Sequence, residues 1–211
     1  MAVRLGDTAP DFTAQSTQGE IAFHDWKGDS WAVLFSHPAD FTPVCTTELG
    51  AVAKRKGDFE ARNTKVVGLS VDAIEDHTAW SQDIEDTQGT PLNFPLVSDA
   101  DGSIAEAYDM IHPNSDPKLT VRSVFVIAPD NTVKLTLTYP PATGRNFDEL
   151  LRVIDSLQLT AEQSLATPAD WTKGDRVIIS PSIDDETAKE RFGDFDAQKP
   201  YLRYVSDPMV A

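Results

Sequence analysis

Short apolar runs recur along the chain at the spacing of a protein that alternates strands with helices. Trp31-Ala32-Val33-Leu34-Phe35-Ser36 and Val66-Val67-Gly68-Leu69-Ser70-Val71 are rich in strand formers and have the length of strands covered on both faces. Between them Leu49, Val52, Ala53 and Lys56 fall on one helical stripe, with the stem of the lysine over its edge. That is a β-α-β pattern, which implies parallel strands. Asp72, with Glu75 three residues on, predicts a capped helix start, and the helix would turn Ile74, His77, Trp80, Ser81 and Ile84 to one side. Phe94-Pro95-Leu96-Val97 predicts the next strand and Ile104 to Tyr108 a short helix. Val121 to Ile127 and Val133 to Thr138 predict two strands joined by the turn Pro129-Asp130-Asn131; so short a link makes them antiparallel. Asn146 and Glu149 open a further helix in which Phe147, Leu150, Leu151, Ile154 and Leu157 follow the i, i+3, i+4, i+7 rule.

Parallel units followed by an antiparallel pair and a helix make an α/β protein, a mixed β-sheet flanked by helices, for which a thioredoxin-like order is one option. The pattern changes near Thr160. We therefore expect a main domain over residues 1–160 and a small C-terminal extension over 161–211. The extension holds Pro168, Trp171, Gly174, the strand-like Val177-Ile178-Ile179 and Tyr201-Leu202-Arg203-Tyr204. About fifty residues rarely build a core of their own, so the extension is expected to pack on the main domain or on another subunit.

Composition narrows the chemistry. With 18 basic against 34 acidic side chains in 211 residues the net charge is −16, which disfavours nucleic acid and anionic membranes as partners. Residues 161–211 carry 6 basic and 10 acidic groups, so the excess is a solvated surface spread along the chain and not an acidic tail. The opening Met1-Ala2-Val3-Arg4-Leu5-Gly6-Asp7 lacks the apolar stretch of a secretory signal, and the expectation is a cytoplasmic protein with no membrane span. One cysteine and four scattered histidines give no metal-ligand spacing, so neither metal nor other cofactor is expected. In a reducing compartment the lone Cys45 is either a buried small hydrophobe or a reagent.

Its neighbours favour the reagent. In Pro38-Ala39-Asp40-Phe41-Thr42-Pro43-Val44-Cys45-Thr46-Thr47-Glu48 the chain passes from a strand end to a helix start, where sites of open α/β sheets cluster. Thr42 then Pro43 reads as N-cap and first helical residue, which puts Cys45 at the third position, beside unpaired amides and the positive end of the helix dipole. Thr42 is expected to cap the amide of Cys45 and to present its hydroxyl near the sulfur, and Pro38 to shield the sulfur with a rigid apolar surface. Glu48, one turn on, helps only if an arginine neutralises it.

The spacing Pro38, Thr42, Cys45 resembles the peroxidatic motif of the peroxiredoxins. Further similar stretches are Gly6 to Phe12, Val66 to Asp72, Arg122 before Ser123-Val124-Phe125-Val126-Ile127, and Thr143-Gly144-Arg145-Asn146-Phe147-Asp148-Glu149. Leu157 to Thr160, Pro168-Ala169-Asp170-Trp171 and Tyr201 to Tyr204 look like the one-cysteine subfamily. The resemblance implies a thioredoxin-like fold in which Cys45 attacks hydrogen peroxide or an alkyl hydroperoxide and becomes a sulfenic acid. Thr42 would hydrogen-bond the peroxide, Pro38 close the pocket, and Arg122 stabilise both thiolate and polarised peroxide. Arg122 or Arg145 would neutralise Glu48, and His37 would donate a hydrogen bond near the pocket. With no second cysteine, the reductant must be an external thiol, a small molecule or a redox protein. The extension resembles the one through which the subfamily forms homodimers, larger rings being left open.

Two other readings stay beside this one. Some members of the subfamily resemble serine hydrolases acting on phospholipid esters, and His24, Ser30 and Asp130 match that triad. Gly28-Asp29-Ser30-Trp31-Ala32 departs from G-x-S-x-G at its last position, however, and precedes a strand, so it lacks a nucleophile elbow. The other reading is a non-enzymatic redox sensor or holdase.

Overall fold

The computed structural model describes residues 3–210, so Met1 and Ala2 of the opening segment lie outside the described residues. The chain forms two compact units, residues 1–147 and 148–211. The first is built on β1 (Thr13–Ser16), β2 (Gly19–Ala22), α1 (Phe23–Lys27), β3 (Trp31–Ser36), α2 (Pro43–Lys54), α3 (Lys56–Glu60), β4 (Thr64–Ser70), α4 (Ile74–Gln88), β5 (Leu96–Ser98), α5 (Ser103–Ala107), β6 (Arg122–Ile127) and β7 (Val133–Tyr139). Its strands form one sheet in the order β2-β1-β5-β4-β3-β6-β7. The central β3, β4 and β5 are parallel, and β6 and β7 run antiparallel to them.

Every residue of β3 and β6 is buried. A strand covered on both faces needs an unbroken apolar run, which is why these segments were visible in the sequence. Polar, partly exposed β1 and β2 show no such run; only the turn at Ser16, whose hydroxyl donates to Gly19 O at 2.6 Å, marks the hairpin, and the sequence reading missed it. One core cluster packs Phe23, Leu34, Val67, Leu69, Tyr108 and Phe125. At the start of β3 the buried Lys27 spends its ammonium on three carbonyls, Gly28 O and Pro129 O at 2.9 Å and Ser30 O at 3.1 Å. This ties the turn before β3 to the turn between β6 and β7.

Two expectations need correction. Lys56 does not extend the stripe of α2: the helix ends at Lys54, and exposed Lys56 opens α3, pairing with Glu60 at 3.7 Å. Asp72 does not cap α4. The cap position is Ala73 with no side-chain bond, because the Asp72 carboxylate is spent on the Ser70 hydroxyl at 2.7 Å and the Asp40 amide at 3.0 Å. His77, Trp80 and Ile84 do form the buried face of α4.

The second unit takes in nearly all of α6 (Phe147–Glu162), followed by β8 (Leu165–Ala166), β9 (Val177–Ile179), α7 (Asp185–Phe192), β10 (Asp196–Lys199) and β11 (Leu202–Val205). Its strands form a sheet in the order β10-β11-β9-β8. The expected break at residue 160 falls inside this unit. The tail has a core cluster after all, since Leu159 of α6 packs with Leu165, Trp171, Val177, Ile179 and Val205. Arg203 bonds Ser180 O, Ile183 O and Asp185, and Asp184 caps α7 by accepting from Thr187 N. No helix among the described residues is long and apolar enough to cross a membrane.

Gly68 in β4 is packed tightly against its neighbours. A Cβ there would stand 2.7 Å from Leu96 Cδ1 and 3.2 Å from Phe35 Cζ, and both neighbours are fully buried. Gly68→Ala should therefore lower stability by about 1–3 kcal/mol, read as a shifted denaturant midpoint with unchanged slope. An unchanged midpoint would mean that the core yields there.

Candidate active site

The site forms where β3 ends. The chain leaves Ser36, turns through His37 to Phe41, and enters α2 with Thr42 extended at φ −113° and Pro43 as the first helical residue. Cys45 thus sits at the third helical position, as the sequence predicts, and is fully buried. Pro38 is buried as well. Phe41 adopts φ +54°, a left-handed conformation that is strained for a bulky side chain.

Thr42 does not cap the Cys45 amide. Its hydroxyl turns back into the loop and donates to Ala39 O at 2.8 Å, while its carbonyl accepts from Thr46 N at 3.0 Å and Thr46 Oγ1 at 2.8 Å. Because the hydroxyl proton is spent on Ala39, Oγ1 can meet a further donor only as an acceptor.

Arg122 arrives from the neighbouring strand. The antiparallel register pairs Phe35 with Val124, so the start of β6 lies beside the end of β3. Its Nη1 donates to Cys45 Sγ at 3.3 Å and to Glu48 Oε2 at 2.6 Å, and its Nε and Nη2 donate to Pro141 O at 3.0 and 2.6 Å. Glu48, one turn beyond Cys45, is also held by Arg145, from its amide at 2.7 Å, Nε at 2.9 Å and Nη2 at 2.7 Å. Arg145 Nη1 donates to Ser36 O at 2.8 Å and Ser123 O at 3.1 Å, and the guanidinium lies over the Phe35 ring. Both arginines neutralise Glu48, where the sequence reading left a choice between them.

Two buried cations and one carboxylate leave one positive charge against the sulfur, which a thiolate balances. Burial alone would raise the Glu48 carboxyl, but hydrogen bonds and charge from Arg145, joined by the charge of Arg122, outweigh it and hold the carboxyl below its ordinary range. Burial lowers the Arg145 guanidinium against the opposing pull of Glu48.

His37 departs from expectation. Its Nε2 faces Asp40 Oδ1 at 2.7 Å, inside the protein, and its Nδ1 has no partner. Asp40 Oδ2 meets His77 Nδ1 of α4 at 2.5 Å. The sequence reading placed His77 on a buried stripe without giving it a role, and Asp40 was only a loop residue. A His-Asp-His set can hold a metal, but ligand atoms around a tetrahedral zinc, each about 2.0–2.1 Å from the ion, stand well over 3 Å apart. Contacts of 2.7 and 2.5 Å fit shared protons instead.

The other triad is not assembled. His24 Nε2 lies 2.9 Å from Ala9 O and its Nδ1 3.9 Å from Asp11. Ser30 Oγ donates to Asn63 Oδ1 at 3.1 Å, and Asp130 accepts from Thr132 N at 3.0 Å. Ser30 also precedes β3, whereas Cys45 follows it, so the two lie toward opposite ends of the strand.

A buried cysteine in the first turn of a helix, touched by a guanidinium at the carboxyl ends of the parallel strands of a mixed sheet, is the arrangement of a thiol-dependent redox enzyme. Comparison with known proteins agrees. Residues 5–136 match the AhpC/TSA family and residues 156–194 the C-terminal domain of 1-Cys peroxiredoxin. A 1-Cys peroxiredoxin of Dictyostelium discoideum is 50% identical over 207 residues, 98% of this chain and 86% of that protein. The crystal structure of a cysteine-to-serine mutant of the peroxiredoxin 6 of Arenicola marina superposes with TM-score 0.93 at 46% identity, covering 98% of this chain and 99% of the other. A yeast mitochondrial 1-Cys peroxiredoxin, solved in a study of thiol resolution via glutathione/thioredoxin systems, does so with TM-score 0.92 at 48% identity, covering 97% and 99%. The chain belongs to the AhpC/TSA family and, within it, to the one-cysteine peroxiredoxins, thioredoxin-fold enzymes with thiol-dependent peroxidase activity.

Glu48→Gln would leave two buried guanidiniums around a neutral amide and should cost about 3–5 kcal/mol at neutral pH. Because the folded carboxyl is depressed, its contribution is fully present above the unfolded value near 4.5 and is lost as pH falls through the folded value. The gap between the two proteins in denaturant unfolding should therefore narrow in acid. A neutral-pH gap below about 1 kcal/mol, the size of an exposed pair, would contradict this.

Proposed function

We propose that Cys45 reduces hydrogen peroxide and alkyl hydroperoxides through a sulfenic acid. The thiolate sulfur bonds the distal peroxide oxygen and the O–O bond breaks. The electron pair leaves on the other oxygen, which takes a proton to become water or alcohol, and the cysteine is oxidised to sulfenic acid. The observation that carries this reading is Arg122 Nη1 at 3.3 Å from the sulfur of the single cysteine. A fixed charge there stabilises the thiolate and then the oxygen on which charge develops. Thr42 Oγ1, with its own proton spent on Ala39 O, accepts a hydrogen bond from the peroxide, and Pro38 covers the sulfur.

The chain holds no other cysteine, so one external thiol condenses with the sulfenic acid, releasing water and leaving a mixed disulfide. A second thiol attacks that disulfide and frees Cys45. A glutathione or thioredoxin system is the reductant class we favour, on the likeness to the yeast mitochondrial enzyme whose structural study names both. We further read the protein as a cytoplasmic homodimer. A reducing compartment suits a lone catalytic thiol, and residues 156–194 match the C-terminal domain characteristic of one-cysteine enzymes. In this reading residues 1–160 carry the chemistry and 161–211 serve assembly.

Stopped-flow measurement of peroxide consumption tests the mechanism. Cys45→Ser should abolish turnover, Arg122→Met should lower kcat/KM on the order of 10²-fold, and Ser30→Ala should leave it unchanged. Excess peroxide without thiol should carry Cys45 to sulfinic acid, seen by mass spectrometry as two added oxygens. Turnover that survives Cys45→Ser would remove the reading.

A further inference from the structure

The His37, Asp40 and His77 cluster holds a proton whose presence follows from its hydrogen bonds. Val97 O can only accept, so His77 Nε2, 3.1 Å away, carries a hydrogen. Two bare acceptors cannot meet at 2.5 Å, so a second hydrogen lies between His77 Nδ1 and Asp40 Oδ2. A third lies between His37 Nε2 and Asp40 Oδ1 at 2.7 Å. The remaining nitrogen, His37 Nδ1, is buried without a partner, and a hydrogen there would be an unsatisfied buried donor. Burial lowers His37 from its ordinary value, toward the neutral ring. Three hydrogens on two imidazoles and one carboxylate are one more than two neutral rings supply. The cluster is therefore neutral overall, with an imidazolium at His77 paired to the carboxylate of Asp40, and removing that proton would leave a buried, uncompensated charge.

What the cluster holds is the loop over the sulfur. Asp40 lies midway between Pro38 and Thr42, next to the strained Phe41 at φ +54°, a conformation that persists only when its surroundings over-determine it. From α4, His77 grips Asp40. One turn on, Trp80 lies against the rings of His37 and Phe41 and donates to Thr46 Oγ1 at 3.2 Å. Asp72, just past β4, also faces the cluster and accepts from the Asp40 amide at 3.0 Å. The strand β5 offers only the Val97 carbonyl.

We propose that His77 is a positioning residue of the peroxide reaction: through the proton it shares with Asp40 it clasps the loop that presents Pro38 and Thr42 to Cys45. The proposal rests on the peroxidase reading for its consequence and on the hydrogen-bond count for its cause, and the test separates them.

In the reduced, full-length protein, ¹⁵N NMR should show both ring nitrogens of His77 protonated at neutral pH. A neutral ring with a bare Nδ1 would overturn the proposal, whatever the activity. His77→Asn, whose amide can still donate to Asp40, should keep kcat/KM for hydrogen peroxide within a few-fold of the wild type. His77→Leu should lose roughly 10- to 100-fold at every pH with its far-ultraviolet circular dichroism unchanged. Equal kcat/KM in His77→Leu and His77→Asn would overturn the proposal. If His77→Leu does not fold, the wild-type NMR spectrum still decides.

Discussion

Everything at the active edge of this protein depends on one carboxylate shared by two buried guanidiniums. Neither Arg122 nor Arg145 could be taken out of water at acceptable cost without Glu48, and Glu48 alone beside a cysteine would repel a thiolate. Together they leave a single unit of positive charge at the sulfur, fixed in direction by the carbonyls of Pro141, Ser36 and Ser123. The three charges come from α2, β6 and the loop after β7, so the site exists only when helix, sheet and loop are folded together.

The sheet supplies the placing. Parallel β3 delivers the cysteine helix at its carboxyl end, and antiparallel β6 begins at the same edge, so an arginine at its first position needs no loop to reach the sulfur. Helix α4 closes the arrangement from the other side through His77 and Trp80, both fully buried. The loop that leads to the reactive atom is thereby pinned by α4, and the mobile part of the chemistry is left to the peroxide and the thiol that reduces the enzyme.

Much of this was legible in the sequence, because the strongest signals were local. Proline before Val44 and Cys45 announced a helix start, and the apolar runs at Trp31 to Ser36 and Val66 to Val71 could only be covered strands. Arg122 and Arg145 were assigned through family resemblance, since nothing local distinguishes a buried arginine from an exposed one. The direction of the Thr42 hydroxyl was misread: a threonine before proline looks like a cap, and only the path of the loop offers Ala39 O as a better acceptor. Asp40 and His77 stand 37 positions apart, and on an apolar helical stripe a histidine reads as core filling. The tail was underestimated because its core borrows Leu159 from α6, while β10 is wholly exposed and carries no hydrophobic pattern.

The three carbonyls gathered by Lys27 give the two ends of the sheet different characters. At this far end a lysine ammonium stitches the backbone of Ser30 to that of Pro129, next to Asp130, so these neighbourhoods are joined through main chain and not through a relay of side chains. Any serine there faces a cation already committed to carbonyl oxygens, with its own hydroxyl engaged by an asparagine. The sheet thus has a reactive rim and, opposite it, a riveted one, and the rivet anchors the strand on which the cysteine helix is mounted.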